Sequence, residues 1–196
     1  MTVGAVILAA GAARRFGADK RLQPLGASTV GQITLDKYAS AFAAVRVVVR
    51  SENDPLIRDM APIPHLTTLV ARNAHLGMGH SLAAGFTDLD WSFAFVALAD
   101  MPLIKPSTLK TLIEQARLSS HNIIRPVLPH GNPGHPIGFP AELFPELRQC
   151  SGDQGARPLL EKYRPRIVNC KIDDAGITND IDTPQALANA QALFSD

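Results

Sequence analysis

Six short runs rich in β-branched, aromatic and other apolar residues punctuate the chain, at Val3–Leu8, Val45–Arg50, Thr67–Ala71, Phe93–Leu98, Asn122–Pro126 and Arg166–Ile172. Each is brief and bounded by turn-forming residues, a pattern that predicts strands. Between them the apolar spacing becomes helical. Leu35, Tyr38 and Phe42 stand at i, i+3 and i+7, and Leu109, Leu112, Ile113 and Ala116 at i, i+3, i+4 and i+7. Pro106 falls in the first turn of the second helix, where a missing N–H costs little. Leu187, Ala190 and Phe194 form another stripe after Thr183-Pro184, a helix start. Ala5–Leu8 and Ala94–Leu98 are apolar on both faces, as in strands covered from both sides. The alternation predicts an α/β fold: a three-layer sandwich with a mainly parallel, Rossmann-like sheet. No repeat, low-complexity tract or Pro-rich run divides residues 1–196, so one domain is expected.

A hydrophobic fraction of 46% over 196 residues suffices for a closed core. The 19 Lys and Arg nearly cancel the 18 Asp and Glu, so the net charge of +1 excludes a general polyanion binder and gives no reason to expect nucleic acid. Any anion must be met by a local site. Cys150 and Cys170 form no CxxC pattern, which excludes a disulfide framework and a zinc ribbon and fits reduced thiols in a cytosol. The apolar stretch Val3–Ala13 has no basic segment before it and is not a signal peptide. Nor is there a run of about twenty apolar residues able to span a membrane. The expectation is a soluble, cytoplasmic protein.

In sheets of this kind ligands gather beyond the carboxyl ends of the strands, which selects residues 9–20, 73–81 and 99–102. The first segment runs from Leu8 through Ala9, Ala10 and Gly11 to Arg14, Arg15 and Lys20. Small residues let backbone N–H groups approach a phosphate, and the cations neutralise it. Gly17 and Lys20 are not adjacent and no Ser or Thr follows the lysine, so this is not a P-loop. On composition alone it is also compatible with a plain turn carrying solvated cations. Asp100 ends an apolar run and suits a hard divalent cation, or caps the turn before Pro102. Of Asp180 and Asp182, one could cap the helix that follows and the other complete a metal site. Gly77 and Gly79 precede a helix through Phe86; their backbone and Ser81 could read the edge of a base, or form an ordinary glycine turn.

The string Leu8-Ala9-Ala10-Gly11, with Arg15, Gly17, Lys20 and then Pro24-Leu25-Gly26, resembles the signature of nucleotidyltransferases with the MobA-like NTP-transferase fold, most closely the molybdenum cofactor cytidylyltransferases. Gly77-Met78-Gly79-His80-Ser81, Ala99-Asp100-Met101-Pro102, Pro133-Gly134-His135-Pro136, Gly152-Asp153-Gln154-Gly155-Ala156-Arg157 and Asp180-Ile181-Asp182-Thr183-Pro184 match further strings in the family's order. The resemblance implies that Arg15 and Lys20 offset charge on the α-phosphate and the departing pyrophosphate, with Asp100 as a third catalytic residue. It places Leu8, Ala9, Ala10, Gly11, Lys20, Gly77, Ser81 and Asp100 around the nucleotide. Asp100, Asp180 and Asp182 would hold Mg2+, and His135, Asp153 and Arg157 the acceptor. Arg14 matches a variable slot. Ala13 replaces a frequent serine and Phe16 a frequent methionine.

The implied reaction transfers CMP from CTP, or a nucleotide from another NTP, to the phosphate of molybdopterin or its molybdenum complex. The implied partners are those two substrates and, transiently, a molybdoenzyme or its chaperone, with no nucleic acid and no membrane. Transfer to a sugar phosphate and non-catalytic carriage of molybdopterin are the alternatives. A hydrolase is the rival from another class: Gly79-His80-Ser81-Leu82-Ala83 resembles a nucleophile elbow, and Ser81, Asp100 and His135 follow the order Ser, Asp, His. An elbow needs a strand running into Gly79, however, and residues 72–78 are polar and contain glycine.

Overall fold

The computed structural model describes residues 1–11, 16–58, 60 and 62–194. The chain runs β1 (Val3–Leu8), β2 (Pro24–Leu25), β3 (Ser28–Thr29), α1 (Val30–Ala41), β4 (Ala44–Val49), α2 (Pro55–Arg58), β5 (Leu66–Val70), α3 (Met78–Gly85), β6 (Phe93–Leu98) and α4 (Pro106–Leu118). It continues through β7 (Ile123–Val127), β8 (Ile137–Pro140), α5 (Phe144–Leu147), α6 (Arg157–Lys162), β9 (Ile167–Lys171) and α7 (Pro184–Ala192). Seven strands form one sheet in the order β5-β4-β1-β6-β8-β7-β9, and β2 pairs with β3 in a separate hairpin. β5, β4, β1 and β6 are mutually parallel, as are β7 and β9, while β8 runs antiparallel to both its neighbours. The α/β fold with a mainly parallel sheet flanked by helices is as the pattern predicts, and all six expected strands form within a residue or two of their expected ends.

Every residue of β1 is buried, and alternate residues go to opposite faces. Ala5 and Ile7 join Leu35, Tyr38, Leu109 and Leu112 under α1 and α4, whereas Val6 and Leu8 join Leu82, Phe86, Phe139 and Phe144 under α3 and α5. Burial on both faces is why β1 and β6 read as unbroken apolar runs. α1 begins where the Thr29 hydroxyl accepts from the Gln32 N–H, and α7 where Thr183 accepts from Ala186. A smaller cluster of Leu25, Val30, Ile181, Leu187 and Ala190 packs α7 against the hairpin. It brings the end of the chain back across the carboxyl edge of the sheet, beside β1 and β6.

β8 is the strand the sequence does not announce. It is four residues long, follows Pro136, ends in Pro140 and contains Gly138. A Cβ at Gly138 would lie 2.5 Å from the Phe93 ring and 2.6 Å from that of Phe95, so glycine is needed for β8 to pass over the aromatic side chains of β6.

Candidate active site

The carboxyl ends of β1, β4 and β6 open into a cleft of about 490 Å³. Its floor is the loop leaving β1. Ala9 donates its N–H to Val48 O at 2.8 Å, and Ala99 donates to Leu8 O at 3.1 Å, so the first residues past each strand remain tied to their neighbours. A Cβ on Gly11 would meet nothing within 4 Å. Glycine there leaves space above the loop and relieves no clash below it.

Below this floor lies a buried arginine that the motif reading passes over. Arg21 is 4% exposed and donates to Ala9 O at 2.5 Å, to Asp54 Oδ2 at 3.1 Å, and to both oxygens of Asp19 at 2.6 and 2.9 Å. Burial alone would weaken its charge, but the hydrogen bonds and charges of Asp19 and Asp54 more than compensate, and its pKa is raised. Asp54 in turn caps α2, accepting from the Leu56 N–H at 3.1 Å. Three elements are thereby fastened to the carbonyl of a single loop residue. Arg50, at the end of β4, also lines the cleft, with its guanidinium 3.8 Å from Asp19.

The opposite wall is acidic. One oxygen from each of Asp100, Asp180 and Asp182 lies within 4.8 Å of the others. Asp100 follows β6, and its carbonyl accepts from the Ile181 N–H at 2.9 Å, which ties the segment carrying Asp180 and Asp182 to the strand end. Asp174 fixes that segment from behind: its carboxylate is buried and accepts from Lys105 N at 2.8 Å, Thr108 Oγ1 at 2.6 Å and Gly176 N at 3.0 Å. Lys37 secures the Asp100 loop by donating to Pro102 O and Ile104 O. Lys20 Nζ bridges Asp100 and Asp182. Burial would lower the Lys20 pKa, but the two carboxylates prevail and hold it above the usual lysine value. Asp180 shifts upward, through burial first and then repulsion from Asp182 and Asp100. Asp100 Oδ1 is buried with no hydrogen-bond partner. Oxygen donors, close spacing and one unsatisfied buried oxygen suit a hard divalent cation such as Mg2+ or Mn2+.

The expected site residues Leu8, Ala9, Ala10, Gly11, Lys20, Gly77, Ser81, Asp100, Asp180, Asp182 and Asp153 all line this cleft. Arg15 lies outside the described residues. Gly77 (φ +126°) starts α3, and a Cβ there would lie 2.4 Å from Gly152 O and 2.6 Å from Asp153 Oδ1. The loop holding Asp153 therefore packs against the Gly77 turn, and the Gly79 N–H donates to Gly152 O at 2.7 Å. Asp153 stands on the wall assigned to the nucleotide. Arg157, at the start of α6, and His135 are not among the cleft-lining residues. The His135 N–H donates to Ile177 O at 2.8 Å, its Nδ1 is buried without a partner, and burial lowers its pKa against the opposing pull of the Val96 backbone and Asp100. Ser81 sits in the first turn of α3, preceded by a 3-10 turn at Ala74–Leu76 and by Gly77. No strand feeds it, and His135 does not share its cleft, so an elbow with a serine triad is not assembled. Arg21 and Arg50 line the cleft without having been singled out from the sequence, and His75, inside the selected 73–81 segment, lines it too.

Known proteins resemble the chain in sequence and in fold. The "Purine catabolism protein PucB" of Bacillus subtilis (strain 168) is 31% identical over 193 residues, spanning 92% of this chain and 91% of that protein. A protein named "Probable molybdenum cofactor guanylyltransferase" in Natranaerobius thermophilus is 30% identical over 128 residues, 64% of this chain and 60% of its own length. Among solved structures, the manganese complex of Rv0371C from Mycobacterium tuberculosis H37Rv superposes with a TM-score of 0.79 at 23% identity, covering 97% of this chain and 98% of that one. The model of the MobA-like NTP transferase domain matches residues 5–167. The chain is therefore a member of the MobA-like NTP transferase family, a nucleotidyltransferase.

Proposed function

We propose that the protein transfers CMP from CTP to the phosphate of molybdopterin or its molybdenum complex and releases pyrophosphate. The observation that carries this reading is the junction of the Leu8–Gly11 loop with Lys20, Asp100, Asp180 and Asp182 in one cleft. The cleft joins a floor of small-residue backbone to a wall of three carboxylates, parts that suit displacement at a phosphorus atom aided by a divalent cation. Cytidine is supported by the full-length run of motifs that resembles the cytidylyltransferases. The likeness to named guanylyltransferases, by contrast, spans 64% of the chain. The molybdopterin acceptor is supported by that same relative's name.

An oxygen of the acceptor phosphate attacks the α-phosphorus, and the bond from that phosphorus to the bridging oxygen breaks as pyrophosphate leaves. A phosphate oxygen is already anionic, so no strong general base is needed. Asp100, Asp180 and Asp182 would hold Mg2+, which would supply charge neutralisation to the triphosphate. The loop holds the triphosphate in line, and Arg15 and Lys20 offset the charge that grows on the leaving group. Lys20 reaches that position from a carboxylate-paired state that keeps it protonated. Ser81, buried in α3, supports the base or the backbone that reads it.

Pyrophosphate release measured with each of the four NTPs in Mg2+, with and without molybdopterin, tests the reading. The expected result is release that needs both CTP and molybdopterin and yields the dinucleotide cofactor. Preference for GTP would replace the nucleotide assignment. Release driven by a sugar phosphate would replace the acceptor, and binding of molybdopterin without release would identify a carrier.

A further inference from the structure

We propose that Arg50 is a nucleotide-binding residue that grips the β- and γ-phosphates from the β4 side of the cleft. The inference rests on the nucleotidyl-transfer reading and adds a cation that the Leu-Ala-Ala-Gly…Arg…Lys motif does not contain.

Placement is the first argument. β4 lies parallel to β1 with Val48 opposite Leu8, and Val48 O accepts from the Ala9 N–H. Arg50 thus leaves the sheet at the level of the floor loop, on the side away from Asp100. The second argument is charge. Asp100, Asp180 and Asp182 make the β6 wall anionic and draw Lys20 toward it. The pyrophosphate half of a triphosphate carries more negative charge than Arg15 and Lys20 together offset, which leaves a place for a third cation. Arg21 cannot serve, because it is buried and its donors are taken by Asp19, Asp54 and Ala9 O. Arg50 can: its side chain is 43% exposed, and at 3.8 Å its pairing with Asp19 is beyond hydrogen-bond length. Asp19 accepts its hydrogen bonds from Arg21, so it attracts the Arg50 guanidinium without consuming its five N–H donors. An ion pair this long and exposed is weak, so it does not hold the guanidinium back from a ligand in the cleft that Arg50 lines.

Calorimetric titration of CMP, CDP and CTP in Mg2+, with the guanosine series beside them, tests this on the wild type, Arg50→Gln and Arg50→Lys. The wild type should bind more tightly as phosphates are added. Arg50→Gln should lose roughly tenfold or more in affinity for the triphosphate, the size expected for hydrogen bonds to a charged group, and under about twofold for the monophosphate. Arg50→Lys should recover most of the loss, and the urea midpoint without nucleotide should stay put. Unchanged triphosphate affinity in Arg50→Gln, an equal loss for mono- and triphosphate, or failure of both variants to fold would overturn the role of Arg50 alone. A wild type that binds no nucleotide would overturn the transferase reading and this inference with it.

Discussion

Asp100 is a carboxylate with one oxygen engaged by Lys20 and the other buried without a donor. An oxygen left in that state is costly unless a cation takes it. Asp100→Asn keeps the shape and removes the charge, so the variant should fold normally and lose about 100-fold or more of Mg2+-dependent turnover, measured at saturating NTP. Wild-type turnover at limiting Mg2+ would remove Asp100 from the metal site. His135 carries a different signature. Its pKa is depressed, so the fold favours the neutral ring, while the unfolded chain takes up a proton near pH ~6.5. Its contribution is therefore complete above that pH and lost as pH falls towards the folded value. Urea midpoints at pH ~7.5 and ~5.5 should fall more steeply with acid for the wild type than for His135→Gln. The comparison must be made as a difference, because Asp180, shifted upward, acts with the opposite sign. At this scale the sequence was readable wherever a residue type carries its chemistry openly, as with Lys20 or the three aspartates. Arg50 closes an apolar run like any strand-ending arginine. It stands past the carboxyl end of β4, the kind of position where ligands gather in such sheets.

At the scale of elements, the cleft depends on how the segments are fastened to one another. Arg21 joins the β1 loop, its own 3-10 turn and α2 through Ala9 O, Asp19 and Asp54. Arg21→Met would leave two acidic groups short of their shared cation, and breaking a buried pair from one side costs about 3–5 kcal/mol. Urea unfolding should register that loss. Nucleotide affinity should fall as well, since the Ala9 carbonyl would no longer be held under the floor. A stability change below ~1 kcal/mol would mean that water replaces the guanidinium. None of this is visible in the chain, where Asp19, Arg21 and Asp54 look like ordinary surface charges. Arg21 and Asp54 become buried only once α2 packs against the turn that carries Arg21. β1 and β6 were legible because burial on both faces writes an unbroken apolar run, and the exposed edge strands β5 and β9 because β-branched residues stand between turn-formers. β8 was hidden for the opposite reason: Pro136, Gly138 and Pro140 are the residues that usually deny a strand, tolerated here because β8 is short and must clear Phe93 and Phe95.

Over the whole molecule, the acidic wall makes folding and cation binding one equilibrium. Repulsion among Asp100, Asp180 and Asp182 is relieved by a divalent ion, so the metal should bind the folded chain far better than the unfolded one. At a hundred times its Kd, a ligand of that kind adds about 2.7 kcal/mol. For a chain of this size the melting temperature should rise by roughly 5–10 °C, measured calorimetrically with and without Mg2+ or Mn2+. Asp182→Asn should abolish most of the shift, and an unchanged wild-type melting temperature in excess metal would dissolve the metal centre. Lys20 touches Asp100 and Asp182, so the centre draws on the beginning, middle and end of the chain. The matched domain ends at residue 167, ahead of two of the three carboxylates. Two of the three carboxylates thus reach the cleft only through the Ile181 N–H bond to the Asp100 carbonyl and the packing of α7 on the hairpin, so a lesion in either should cost the ion while leaving the floor loop in place.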